Sequence, residues 1–91
     1  MLNSPLVIEQ SERFAAGLLK APFPGDEQRV EAAFERALGR QPSSAERTRA
    51  LAFIQDFEAA LPAGSAEKNR GEAWRAFCHT LFASSEFRYV E

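Results

Sequence analysis

The 91-residue chain has one cysteine, one histidine, one tryptophan and one tyrosine, and it has no surplus of basic residues. A lone thiol excludes an internal disulfide framework. Cys78 and His79 are the only soft metal ligands, too few to close a zinc site. Eleven Lys and Arg are scattered among thirteen Asp and Glu, for a net charge of −2. Phosphate binding needs clustered cations, so no nucleic-acid partner is expected. No apolar run approaches the roughly 18 residues of a membrane-spanning helix, so no membrane contact is expected either. The opening "MLNSPLVIEQ" lacks the charged and apolar regions of a signal peptide, and any export address is expected outside this stretch. The chain has no internal repeat, no low-complexity segment and no catalytic or cofactor signature.

What is present is an ordinary globular composition, 45% hydrophobic and 26% charged. At this length a single thin-cored domain over residues 1–91 is expected, hiding roughly 60 to 65% of the unfolded chain's surface. The apolar spacing is helical throughout. Val7, Phe14, Ala15, Leu18 and Leu19 predict a first helix over 5–20, with Ser4 as N-cap and Pro5 at its first position. "APFPGD" then ends it. Val30, Ala33, Phe34, Ala37 and Leu38 form one stripe of a second helix over 26–39, with Asp26 and Glu27 at its start and Arg36 and Arg40 near its end, as the helix dipole favours.

The joint "LGRQPSSAER" contains its own stop and start signals. Gly39 can take the left-handed conformation that closes a helix, and Pro42 cannot continue one. Ser43 followed three residues later by Glu46 is a capping box. Every unusual residue here has a capping role, so the joint is expected to fold and not to react. A third helix over 44–61 carries Leu51, Ile54 and Leu61 on one flank and Phe53, Phe57 and Ala60 on the next. So wide a stripe predicts cover from two sides and a central position. "LPAGSAEKNRGE" is expected to be a flexible loop. A fourth helix over 70–84 follows, with Trp74, Phe77, Cys78, Leu81 and Phe82 on its stripe, and "FRYVE" is expected as a short ordered tail. The fold class is therefore all-α, a small bundle of four main helices. Its core is expected to comprise Phe14, Leu18, Val30, Phe34, Leu38, Leu51, Ile54, Phe57, Trp74, Phe77, Leu81 and Phe82.

Three constellations bear on chemistry. Cys78 and His79 point about 100° apart on a helix, so they form no nucleophile–base pair. Cys78 suits the core, and His79 suits a polar rim or helix-end contact. Glu27, Glu31 and Glu35 align at i, i+4 and i+8, but no second helix offers a matching ligand pair, and a solvated face accounts for them. The second and third helices also have the outline of a DNA-binding helix-turn-helix with Arg47 and Arg49 facing bases. Glu46, Asp56 and Glu58 in the same region oppose that reading. No catalytic, cofactor or metal-binding residue is assigned.

Three ordered stretches, "MLNSPLVIEQSERFAAGLL", "VEAAFERALGRQPSSAERTRALAFI" and "AWRAFCHTLFASSEFRYVE", resemble the C-terminal part of the planctomycete-specific domain-one family, a domain of unknown function. The resemblance rests on Asn3, Ser4 and Pro5 in the first stretch and on Leu38, Gly39, Arg40 and Pro42 in the second. The third departs from the family's leucine-asparagine-serine, with Phe82, Ala83, Ser84 and Ser85 before Glu86 and Phe87. The resemblance implies a C-terminal subdomain of a large exported bacterial protein, periplasmic or at the cell surface, of a kind that often also carries a cytochrome-c-like domain. It assigns no catalytic residues.

Two functions are compatible with these readings. One is a non-catalytic structural or docking module that meets the upstream region of its parent or a second copy of itself. The other is one wall of an enzyme site completed by that upstream region. A pocket of converging polar groups favours the second; an apolar surface favours the first. Leu2, Leu6, Val7 and Ile8 cannot all face one narrow core stripe, and they are the expected interaction surface.

Overall fold

Three of the helix boundaries fall where the sequence supplies a cap: Gly39, Ser43 and Ser65. The computed structural model describes the backbone of residues 5–90 and the side chains of residues 8–83, and holds four helices: α1 (Pro5–Lys20), α2 (Asp26–Leu38), α3 (Ser44–Ala60) and α4 (Ala66–Val90). No strand occurs among the described residues. The protein is an all-α bundle. Gly39 closes α2 at φ 73°, its N–H donating to Glu35 O at 2.9 Å. Ser43 caps α3: Glu46 N donates to Ser43 Oγ at 3.1 Å, and Ser43 N donates to Glu46 Oε1 at 2.9 Å. The expected capping box is present.

The fourth helix differs from expectation at both ends. It starts at Ala66, within the stretch expected to be loop, so the connection shrinks to residues 61–65. Ser65 provides the start: its Oγ accepts from Lys68 N at 3.3 Å and its carbonyl from Asn69 N at 3.0 Å. A single glycine inside a helix costs only about 1 kcal/mol, so Gly71 does not break it. At the other end α4 runs on to Val90, so the tail is helix and not a separate turn.

The central element is α4, not α3 as expected. It packs on α1, α2 and α3, whereas α1 and α3 do not pair directly among the described residues. Its buried residues Ala73, Trp74, Phe77, Cys78 and Leu81 form the spine of the core. On α3 only Ala50 and Ile54 are buried. Its apolar residues are spread around the helix, so one flank faces the bundle and the other is left uncovered.

Seven of the twelve expected core residues are buried: Leu18, Val30, Phe34, Ile54, Trp74, Phe77 and Leu81. Phe14, Leu38, Leu51 and Phe57 are half-buried against them. Phe82 is also half-buried and stacks on Phe14, with ring centroids 5.2 Å apart. Ala15, Ala33, Ala50 and Ala73 complete the interior, and their small side chains let the helices approach closely.

Candidate docking surfaces

Because α1 and α3 lie on α4 without pairing, a valley remains between them. It is a cleft of about 330 Å³ lined by Ile8, Ser11 and Glu12 of α1, Phe57 of α3, and α4 residues that include Arg75 and His79. Ile8 lies seven residues before buried Ala15, so it points the same way around α1. It is nonetheless 42% exposed. The buried stripe of α1 thus outruns its cover at this end. Of the expected interaction surface, Leu2 and the side chains of Leu6 and Val7 lie outside the described residues.

Polar groups gather in the same valley. Arg75 Nη1 donates to Glu12 Oε2 at 3.3 Å, and Arg75 Nη2 stands 3.7 Å from Glu72 Oε1. Ser11 is buried, and His79 sits half-buried along the rim. His79 lies inside α4, which continues past it to Val90.

A larger open groove of about 740 Å³ lies where α2, α3 and α4 meet. Phe34, Ala50, Phe77 and Leu81 form an apolar floor, and Arg40, Glu46, Arg49 and Asp56 form a charged rim. Arg40 holds Glu46 at two points, Nη1 to Oε1 and Nη2 to Oε2, both 2.8 Å. That guanidinium, with the backbone N–H of Ser43, brings the Glu46 carboxyl down to about 2. Phe53 stands at the edge, 40% exposed, its ring 5.9 Å from that of Phe57. Sequence periodicity had put Phe53 on a covered flank. The contrary signal was its position on the same side of the helix as Arg49 and Asp56.

Cys78 is wholly buried, and burial pushes its thiol up to about 12. It belongs to the core, as its stripe position indicates. Glu27 and Glu35 are exposed, while Glu31 accepts from Arg47 Nη1 at 2.8 Å. That bond ties α2 to α3 and engages one of the two arginines that the helix-turn-helix reading would need.

The residue that sequence reasoning missed is Arg29. It is buried at the start of α2, where Nε donates to Leu18 O at 2.8 Å, Nη2 to Ala21 O at 3.2 Å and Nη1 to Asp26 Oδ1 at 2.8 Å. It therefore satisfies the Leu18 carbonyl in the last turn of α1 and adds a second donor to Ala21 O, which also accepts from Phe23 N at 2.9 Å. Its guanidinium also lies 5.6 Å from the centroid of the Phe23 ring. The available signal was the i, i+3 pairing with Asp26, although burial cannot be read from that spacing.

Among the described residues no three His, Cys, Asp or Glu side chains are placed to hold a metal ion. No helix among them is long and apolar enough to cross a membrane. The model of the family PSD1, protein of unknown function (DUF1553), matches residues 1–54. This chain belongs to the PSD1 family. The PSD1 match takes in α1, α2 and α3 as far as Ile54, which covers the first two of the three resembling stretches and leaves α4 outside. No curated protein and no solved structure matches the chain.

Proposed function

We propose that this PSD1-family chain is a non-catalytic docking module of a larger exported bacterial protein, and that it meets the upstream region of the same polypeptide through α1. The observation that carries this is Ile8, an apolar residue in line with the core stripe of α1 that the bundle leaves 42% exposed above the cleft. Because Ile8 continues the core stripe of α1, an apolar partner surface laid along α1 would extend the same core over it. The test is capture of the rest of the parent protein by this chain. Wild type and Phe53→Glu are expected to bind, and Ile8→Glu to lose most of the binding. No capture by wild type, or equal capture by Ile8→Glu, overturns the proposal. Export is tested separately by fractionating cells that express the full parent.

A second reading, one wall of an enzyme site completed by the upstream region, is favoured by the polar groups gathered beside Ile8: Glu12, Glu72, Arg75 and His79. Against it, Ser11, which lines the same cleft, is too buried for its hydroxyl to reach a substrate. Loss of parent activity in His79→Ala with docking intact would support this second reading.

A further inference from the structure

The uncovered side of α3 has a pattern that matches itself when reversed. Ala45, Arg49, Ala52, Phe53, Asp56 and Ala60 are all exposed, and at 100° per residue they fall within about one third of the helix circumference. The buried residues Ala50 and Ile54 lie on the other side. About the midpoint between Ala52 and Phe53, Arg49 is the mirror position of Asp56, Ala52 of Phe53, and Ala45 of Ala60. Neither Arg49 nor Asp56 has an ion-pair partner among the described residues, a state Arg49 shares with Arg13 and Arg36.

We propose that a second copy of this chain docks on this face, α3 against α3 in antiparallel orientation about a two-fold axis between Ala52 and Phe53. A two-fold contact requires one patch to be its own complement, and this patch meets that condition in charge and in size. Arg49 of each copy faces Asp56 of the other, so two ion pairs form. Each Phe53 packs over the opposite Ala52, where the small side chain leaves room for the ring. Ala45 and Ala60 let the two backbones approach at either end. The surface is distinct from that of Ile8, so the proposal does not depend on the parent contact above.

One helix pair of this length falls short of the roughly 1,200 Å² of a standard stable interface, so the dimer is weak, with a dissociation constant on the order of 10 to 100 μM. Each charge contact occurs twice, so reversing one member should weaken the dimer by about tenfold or more. The experiment is sedimentation equilibrium of the 91-residue chain up to about 1 mM, with helicity of each variant checked by circular dichroism. Wild type is expected to dimerise, and Arg49→Glu and Asp56→Arg each to show a dissociation constant raised by about tenfold or more. The double variant Arg49→Glu/Asp56→Arg exchanges the two signs and is expected to recover the dimer to within about threefold of wild type. Phe53→Glu is expected to be a monomer, and Ile8→Glu a dimer. A wild type that stays monomeric throughout overturns the proposal. So does a dimer that survives Phe53→Glu, or a folded double variant that fails to recover.

Discussion

Asp26 and Arg70, 44 residues apart, meet at two points: Arg70 Nη2 donates to Asp26 Oδ1 at 2.8 Å and Nη1 to Oδ2 at 3.1 Å. The contact joins the start of α2 to the N-terminal part of α4. Asp26 also accepts from Arg29, which holds the end of α1. One carboxylate therefore links three helix termini, and it sits at the N-terminus of α2, where the helix dipole favours negative charge. The Arg70 hydrogen bonds are the largest cause holding its carboxyl below the ordinary 3.8, with Arg29 adding to them.

The three residues should differ in cost when removed. Arg29→Ala leaves the buried Leu18 carbonyl without its partner, while Ala21 O keeps the Phe23 N–H, and is expected to cost about 1 to 3 kcal/mol. Asp26→Asn keeps the shape but loses the charge; with its side chain 36% exposed, about 1 kcal/mol is expected. Arg70→Ala removes a half-buried pair, each side chain 36% exposed, and should cost about 1 kcal/mol or less. Urea unfolding ranks them. Arg70→Ala emerging as the most damaging of the three would show that the Arg29 account is wrong.

The joint between α2 and α3 has a distinct acid response. Glu46 has an ordinary value of 4.5 and is held at about 2 in the fold, first by Arg40 and then by Ser43. A lowered carboxyl contributes stability that is complete above its unfolded value and disappears as pH falls through the folded one. The Glu46 contribution should therefore be intact at neutral pH and decline between 4.5 and about 2. Glu46→Gln is expected to flatten that part of the stability curve. Ser43→Ala should cost about 1 kcal/mol at neutral pH through the lost cap. Chemical denaturation at a series of pH values checks both, and an unchanged acid slope in Glu46→Gln would refute the first.

These two cases mark what could be read from the sequence. The capping box was legible because Ser43 and Glu46 are local and their geometry follows from spacing. Gly39 was legible for the same reason. The Asp26–Arg70 contact was not, since spacing says nothing about residues 44 apart. Helix α4 was misjudged at its start because Gly64, Ser65 and Gly71 look like breakers, whereas Ser65 is a cap. The exposure of Phe53 was missed because an aromatic at helical period looks like core, and only packing decides which of two flanks is covered. Ile8 shares that ambiguity, and its position past the end of the cover emerges only in three dimensions.

Cys78 should behave as an inert core thiol. Thiolate is the reactive form, and with the thiol at about 12 almost none is present near neutral pH. The side chain is also wholly buried. Modification by a water-soluble aromatic disulfide at about pH 8 is expected to be at least about a hundredfold slower in native buffer than in denaturant, following global unfolding. Because the folded value is raised above the ordinary 9.0, stability linked to Cys78 is complete below 9.0 and is lost as pH rises towards about 12. Labelling that proceeds equally fast with and without denaturant would contradict the burial.

Gly39 isolates a backbone effect from a packing effect. Its φ of 73° lies in the left-handed region that side chains rarely adopt, yet a Cβ built there meets nothing within 4 Å. Steric crowding by neighbours therefore plays no part, and any cost of substitution comes from the backbone conformation itself. Gly39→Ala is expected to destabilise by about 1 kcal/mol. Gly39→Asn should cost less, because asparagine tolerates the left-handed region at helix ends. Gly17 provides the control: a Cβ there also meets open space, its φ is not positive, and it lies inside α1. Gly17→Ala should stabilise by about 0.5 to 1 kcal/mol through helix propensity. Thermal and urea unfolding of the three variants should thus give opposite signs for the same glycine-to-alanine change. A Gly39→Ala variant as stable as wild type would mean that the joint can close α2 without a left-handed residue, and the reading of "LGRQPSSAER" as a capped stop and start would fail with it.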